Sequence, residues 1–309
     1  MLFLKVCAMR TILVPVDFTE FSENAVRMAG YFAGIKGMEI KLLHIVQMPD
    51  SGFFSLGRKK EEDYLPDMVQ TAEEHLSRIA AWLIPENVSV SQEVKVSSGS
   101  VVDEILGEKA ELIIMGRKRP ENQESIWAGS VTEKVIRLSR IPVISVGKLA
   151  ENIELNNITF ASDFKDKEVS AVLQRIFDLA ELFDADLHLL YVQFNREFLN
   201  SSQMEEKIEK ILEELEIQRL DLNIYVADSP EEGITRYVEE NKTDLLCMYT
   251  HGRTGLAHIF RQSVAENISA YGTIPVLTYN INKDKVDRST KPFARKMLRK
   301  RINRERKMK

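Results

Sequence analysis

The sequence predicts an α/β protein of two tandem doubly wound domains, each a five-stranded parallel sheet flanked by helices. Three observations lead there. At 309 residues the chain is about two domains long, taking roughly 150 residues for each. The sequence repeats itself in order. Within each repeat, strand-length apolar runs alternate with runs spaced for helices. The repeat is the strongest of the three. Residues 11–18 (TILVPVDF) return as 158–164 (ITFASDF), 42–46 (LLHIV) as 189–192 (LLYV), and 111–115 (ELIIM) as 244–248 (DLLCM). Residues 130–133 (SVTE) return as 263–266 (SVAE), and 141–144 (IPVI) as 274–277 (IPVL). The second copy is shorter, mainly after its second strand, where the first carries residues 47–60.

Taken in order, the runs near 11–16, 39–46, 88–96, 111–115 and 141–146 have strand length and β-branched content. Between the first two, Ala25, Met28, Ala29 and Phe32 recur at helical spacing. Leu65, Met68, Ala72, Leu76, Ile79 and Leu83 do the same before the third. Copy two repeats the pattern with Val169, Val172, Leu173, Ile176 and Ala180, then Ile208, Ile211, Leu212 and Leu215. Runs such as 112–115 (LIIM) are apolar on both faces. A parallel strand needs this, because its crossover helices cover the sheet from both sides.

Composition narrows the function classes. Apolar residues make up 44% and charged residues 29%, an ordinary balance for a folded chain. No apolar run approaches the ~18 residues of a membrane span. Met1–Leu4 is cut short by Lys5, too brief for a signal-peptide core, and Met9 would serve equally well as a start. Cys7 and Cys247 are the only cysteines, which excludes a disulfide framework and suits a reducing, cytoplasmic compartment. Residues 291–309 hold ten basic residues and one acid, a net +9; with −5 for the whole chain, the rest carries −14. Only this tail can meet a polyanion on charge alone.

Ligands of open parallel sheets sit beyond the carboxyl ends of the strands, where strand order reverses. The loop after the first strand supplies Pro15, Val16 and Asp17 in copy one, and Ser162 and Asp163 in copy two. An aspartate there either caps the following helix or accepts hydrogen bonds from ribose hydroxyls or an adenine edge. The loop after the fourth strand runs from Gly116 through Arg117, Lys118 and Arg119 to Gly129 and Ser130. A helix starting near Ser130 aims free N–H groups and its positive dipole end into that loop. Ser130 with Glu133 also reads as a plain capping box, and the two roles are compatible.

These residues resemble the universal stress protein (UspA) family: the opening strand ending in Asp17, the second strand 42–46, the loop closing on Gly129 and Ser130, and the Ile-Pro-Val starts at Ile141 and Ile274. The resemblance covers both copies. It implies domains at 9–148 and 154–281, sheets ordered 3-2-1-4-5, and pairing of the copies through their fifth strands; the basic tail at 282–309 lies outside the family pattern. Family members that bind ATP carry Gly-x2-Gly-x9-Gly-Ser/Thr after the fourth strand. In copy one those positions read Gly116, Arg119, Gly129 and Ser130; in copy two they read Tyr249, Gly252, Gln262 and Ser263. Glycine at such a site gives way for backbone to meet phosphate, and a side chain obstructs it. Arg119 can instead offer its guanidinium to a phosphate, with Arg117 and Lys118 alongside. Copy one is therefore the better nucleotide site, with ATP as the expected ligand. By the same alignment Asp17 and Ile45 lie near ribose and adenine, with Asp163 and Val192 as counterparts.

No catalytic residue and no metal site is expected. His44, His75, His188, His251 and His258 lack ligand spacing, no nucleophile elbow is present, and Cys247 reads as packing within a strand. Residues 48–60 read as a loop with Phe53, Phe54 and Leu56 near its tip, either a lid or partner patch or a loop folded on its own domain. In the tail, Phe293 with Met297 and Leu298 with Ile302 form i,i+4 apolar pairs among basic residues. Such a segment either stays solvated or meets anionic lipid, nucleic acid or the acidic body. Two functions follow: a stress-response protein switching on adenine nucleotide in copy one, or an interaction scaffold of the same fold acting through an unknown protein partner. Intramolecular pairing of the copies and a homo-oligomer fit both.

Overall fold

The structure is a computed structural model that describes residues 11–48, 64–117, 131–194, 201–217, 220–250 and 274–281. Arg119, Gly129, Ser130, Gly252 and Ser263, the loop tip with Phe53 and Phe54, His251, His258 and the basic tail lie outside the described residues.

Copy one contributes β1 (Thr11–Pro15), α1 (Glu20–Lys36), β2 (Glu39–Gln47), α2 (Leu65–Leu83), β3 (Val90–Ser97), α3 (Val101–Leu106), β4 (Leu112–Gly116), α4 (Val131–Leu138) and β5 (Val143–Val146). Copy two contributes β6 (Asn157–Ala161), α5 (Val169–Phe183), β7 (Asp186–Gln193), α6 (Ser201–Glu214), β8 (Asp221–Val226), α7 (Pro230–Glu240), β9 (Leu245–Thr250) and β10 (Val276–Asn280). The chain divides into two compact units, and β10 belongs with the first.

In the first unit the strands run β3-β2-β1-β4-β5-β10. β1 to β5 are parallel and give the order 3-2-1-4-5, whereas β10 pairs antiparallel with β5, Leu277 opposite Ile144. Copy two's fifth strand thus lies against copy one's fifth. In the second unit the order is β9-β6-β7-β8, all parallel, the same arrangement over its first four strands.

The apolar periodicity explains the packing. Ala25, Met28, Ala29 and Phe32 of α1 are buried on the sheet, as are Val169, Val172, Leu173, Ile176 and Ala180 of α5. Central strands are buried on both faces: Ile12, Leu13 and Val14 of β1, and Leu245, Leu246 and Cys247 of β9, are fully inaccessible. Met68 departs from the periodic reading. It is 51% exposed, because it sits near the start of α2 where the chain is still approaching the sheet. Glu111 and Asp244, equivalent in the repeat, do the same work at the amino ends. Glu111 accepts from the Thr11 N–H at 2.7 Å, and Asp244 accepts from the Asn156 and Asn157 N–H groups at 2.9 and 2.8 Å. Each satisfies donors that the first strand leaves over at its start.

Candidate functional site

Strand order reverses between β1 and β4, so the crevice lies beyond Pro15 and Gly116. After β1 the chain turns at Phe18, whose φ of 61° is left-handed. The strain is tolerable because Asp17 closes a local turn over it: Asp17 Oδ1 accepts from the Thr19 N–H (3.1 Å) and the Thr19 hydroxyl (2.6 Å). Thr19, not Asp17, is the helix cap, and its Oγ1 accepts from the Ser22 N–H. Ser22 Oγ in turn accepts from the Asp17 N–H (3.3 Å) and donates to the Thr19 carbonyl (2.9 Å). Burial pushes the Asp17 pKa up, but the Thr19 and Ser22 side chains and nearby backbone N–H groups outweigh it and hold the carboxyl below its ordinary value. Asp17 itself is exposed, and Oδ2 takes no hydrogen bond from the described residues.

The ring of Phe18 stacks on His44 (centroids 4.3 Å) and meets His75 edge-on (5.1 Å). His44 Nδ1 lies 2.7 Å from the Val16 carbonyl; a carbonyl only accepts, so Nδ1 carries the proton. His44 and His75 are thereby committed to holding the β1 turn.

At the end of β4, Gly116 is needed for close approach. A Cβ there would stand 2.6 Å from the Phe21 carbonyl carbon and 2.7 Å from Ser22 N. The first turn of α1 thus rests directly on β4. The Gly116 carbonyl accepts from the Thr132 hydroxyl (2.8 Å), which pins the start of α4 to the strand end. Arg117, which the sequence set beside a phosphate, is only 6% exposed and donates to the Ile274 carbonyl (3.4 Å).

Ile45, near the end of β2, is partly exposed and pairs in register with Lys95. That sheet face carries an ionic network. Glu108 receives Lys41 (2.7 Å) and Lys95, Lys41 also meets Glu93 (2.5 Å), and Lys95 lies 3.8 Å from Glu104. Burial raises the Glu108 pKa, but hydrogen bonds and charge from both lysines bring it below the ordinary value.

Copy two repeats the aspartate turn. Phe164 is left-handed (φ 52°), and Asp163 Oδ1 accepts from the Lys165 N–H at 3.1 Å. The rest differs. Tyr249, at the Gly116 position, donates its hydroxyl to Asp163 Oδ1 (2.7 Å). Burial first, and the Asp163 carboxylate second, push that phenol's pKa well up. Val192, the counterpart of Ile45, is 8% exposed beneath α7. Cys247 is fully buried and its thiol pKa is raised by that burial, in keeping with inert packing.

Of the residues proposed from sequence, the structure gathers Pro15, Asp17 and Gly116 at one reversal, with Ile45 on the adjoining strand β2. Thr19, Ser22, Thr132, Tyr249 and Gly233 were not singled out as site-shaping residues. Thr19 had a signal, since a threonine before an acidic first turn reads as a cap. Tyr249 had none beyond the lost glycine.

A parallel sheet with a reversal at β1 and β4, a tethered carboxylate at one strand tip and a helix start pinned to the other define the doubly wound class with a strand-end crevice. The family model described as the universal stress protein family matches residues 9–147 and 154–280, so the chain belongs to that family. It is 26% identical over 296 residues to the universal stress protein Slr1230 of Synechocystis sp., covering 88% of this chain and all of that one. The universal stress protein MJ0577 of Methanocaldococcus jannaschii is 30% identical over 154 residues, covering 44% of this chain and 94% of its own length. In fold, the chain is similar to the crystal structure of a universal stress protein from Archaeoglobus fulgidus (TM-score 0.69, 19% identity, 90% and 98% of the two chains).

Proposed function

We propose that copy one binds an adenine nucleotide, ATP in the first instance, and that the protein acts through its bound state. The observation that carries this is Asp17: its Oδ1 is tied down by Thr19 while Oδ2 is left to accept, at the reversal point and one residue link from Gly116 through Ser22. A carboxylate fixed in this way can receive a pair of sugar hydroxyls without paying to order itself. The start of α4, held on Gly116 by Thr132, offers N–H groups and dipole to phosphate. Arg119, Gly129 and Ser130 complete the set by sequence. Family membership supports the reading. The chain acts by binding rather than catalysis, in the cytoplasm. Among the described residues no helix is long and apolar enough to cross a membrane.

A second reading, an interaction scaffold of the same fold, is favoured by Trp82, which stands 90% exposed on α2. Isothermal titration of Mg-ATP into the full-length protein separates the two. One site per chain, weakened by Asp17→Ala and abolished by Gly129→Val, supports the switch. Silence at millimolar Mg-ATP removes it and leaves the scaffold.

A further inference from the structure

Copy two engages with its own atoms the two groups through which copy one would meet a ligand. The first is the strand-end aspartate. In copy one α1 starts at Glu20, three residues after Asp17, and its first turn covers Gly116. In copy two α5 starts at Val169, six residues after Asp163, and its first residue has no side-chain cap bond before it. The delayed helix leaves room for the Tyr249 ring, which lies against Phe160 (centroids 6.3 Å) and delivers its hydroxyl to Asp163.

The second is at the end of the second strand. Gly233 of α7 lies so near Val192 that a Cβ would stand 2.4 Å from Val192 Cγ1 and 3.1 Å from Ala227 Cβ. Glu104 occupies the same position in copy one, four residues after the serine that precedes each helix (Ser100 and Ser229). A glutamate does not permit that approach. Its carboxylate instead accepts from Ser97 Oγ (2.7 Å), and Ile45 stays partly exposed.

We propose that copy two is closed by these residues and takes no nucleotide, so that the chain binds one nucleotide, in copy one, and that Tyr249 is the group that closes it. The inference rests on the nucleotide reading of Asp17. The physical reason for closure is competition. The Tyr249 phenol, attached to the same domain, stands at the Asp163 carboxylate with its hydroxyl on Oδ1, so a sugar approaching that carboxylate must move the ring aside. The hydroxyl on Asp17 Oδ1 instead comes from Thr19 of the turn itself and brings no ring. The aliphatic contact of Gly233 on Val192 adds a dry surface that a base would have to part.

Backbone hydrogen exchange of the full-length chain, with and without saturating Mg-ATP, tests this. Slowed exchange is expected in segments containing Asp17, Ile45 and Gly116, and none in segments containing Asp163, Val192 and Tyr249. In Tyr249→Ala the copy-two segments should gain protection by Mg-ATP, whereas Tyr249→Phe, which keeps the ring, should gain less. Protection of copy two in the wild-type chain overturns the proposal, as does a folded Tyr249→Ala chain in which only copy one responds. If neither copy responds, the nucleotide reading is what has failed. Closure is then decided by denaturant unfolding of Tyr249→Phe, Asp163→Asn and the double variant. Non-additive midpoint shifts uphold the Tyr249–Asp163 clasp, and additive ones overturn it.

Discussion

The two copies share a fold and an aspartate turn, yet they solve the same crowding problem in opposite ways. In copy one a helix turn descends onto β4 and the strand must offer a glycine; in copy two the helix starts later and a tyrosine rises to fill the gap. The face beside the second strand shows the same divergence. Copy one places Lys41, Lys95 and Glu108 together, whereas the equivalent positions in copy two are His188, Tyr225 and Tyr237, with the two tyrosine rings edge to face at 6.2 Å. The difference teaches that Gly116 is fixed by α1 whether or not a phosphate comes near it. A glycine shared with a nucleotide motif can be a packing residue first.

The largest test of that contrast is Gly116→Ala. The added methyl meets backbone that has nowhere to go, so a loss of about 3 kcal/mol in denaturant unfolding is expected. Gly233→Ala meets side chains rather than backbone, chiefly Val192, which can turn, and Ala227 Cβ at 3.1 Å, which need yield only slightly, and should lose about 1 kcal/mol. Equal losses would show that α1 does not depend on Gly116.

Next comes the ionic face. Glu108→Gln should cost about 1–2 kcal/mol, below the figure for a fully buried pair because both lysines are partly solvated. The pH dependence follows from the shifts. Glu108 is lowered in the folded state, so its contribution is present above the ordinary value of 4.5 and fades as pH falls from there through the folded value. Lys41 is raised despite burial, through Glu108 and Glu93; its contribution is complete below 10.5 and fades as pH rises through the folded value. Copy one should therefore unfold more easily at both pH extremes, and Glu108→Gln should flatten both limbs. A wild-type profile unchanged by the substitution would mean that the network contributes nothing.

For binding, Asp17→Ala should weaken Mg-ATP tenfold or more, the value of about 1.5 kcal/mol for a hydrogen bond to a charged group. Asp163→Ala should leave the affinity unchanged, and a reversed pattern would assign the site to copy two. The smallest effect concerns Tyr237, whose buried hydroxyl has no hydrogen-bond partner among the described residues. Tyr237→Phe should be neutral or stabilising by up to about 1 kcal/mol, and a clear loss would reveal a partner such as an internal water.

Much of this was legible in the chain. Periodicity located the elements to within about two residues, since burial of one helix stripe or both strand faces writes itself into consecutive residues. Met68 escaped because periodicity does not say where a helix begins to touch the sheet. Asp17 was legible as a strand-end carboxylate with two available roles. The structure gave the cap to Thr19 and left Asp17 an oxygen to spare, a distinction of two residues that no spacing rule resolves. Arg117 looked like a cation beside a phosphate and is instead buried, reaching the Ile274 carbonyl 157 positions along the chain.

By itself the sequence determined the duplication, the α/β alternation, the family, and which copy retains the glycine pattern. All of these are carried by local order and by comparison of one half with the other. Only the tertiary structure decided that Gly116 makes way for α1, that Tyr249 holds Asp163 across 86 residues, and that α7 rests on Val192. These depend on where helices start and on approaches of tenths of an ångström between distant segments, and close packing, not chain order, sets such distances.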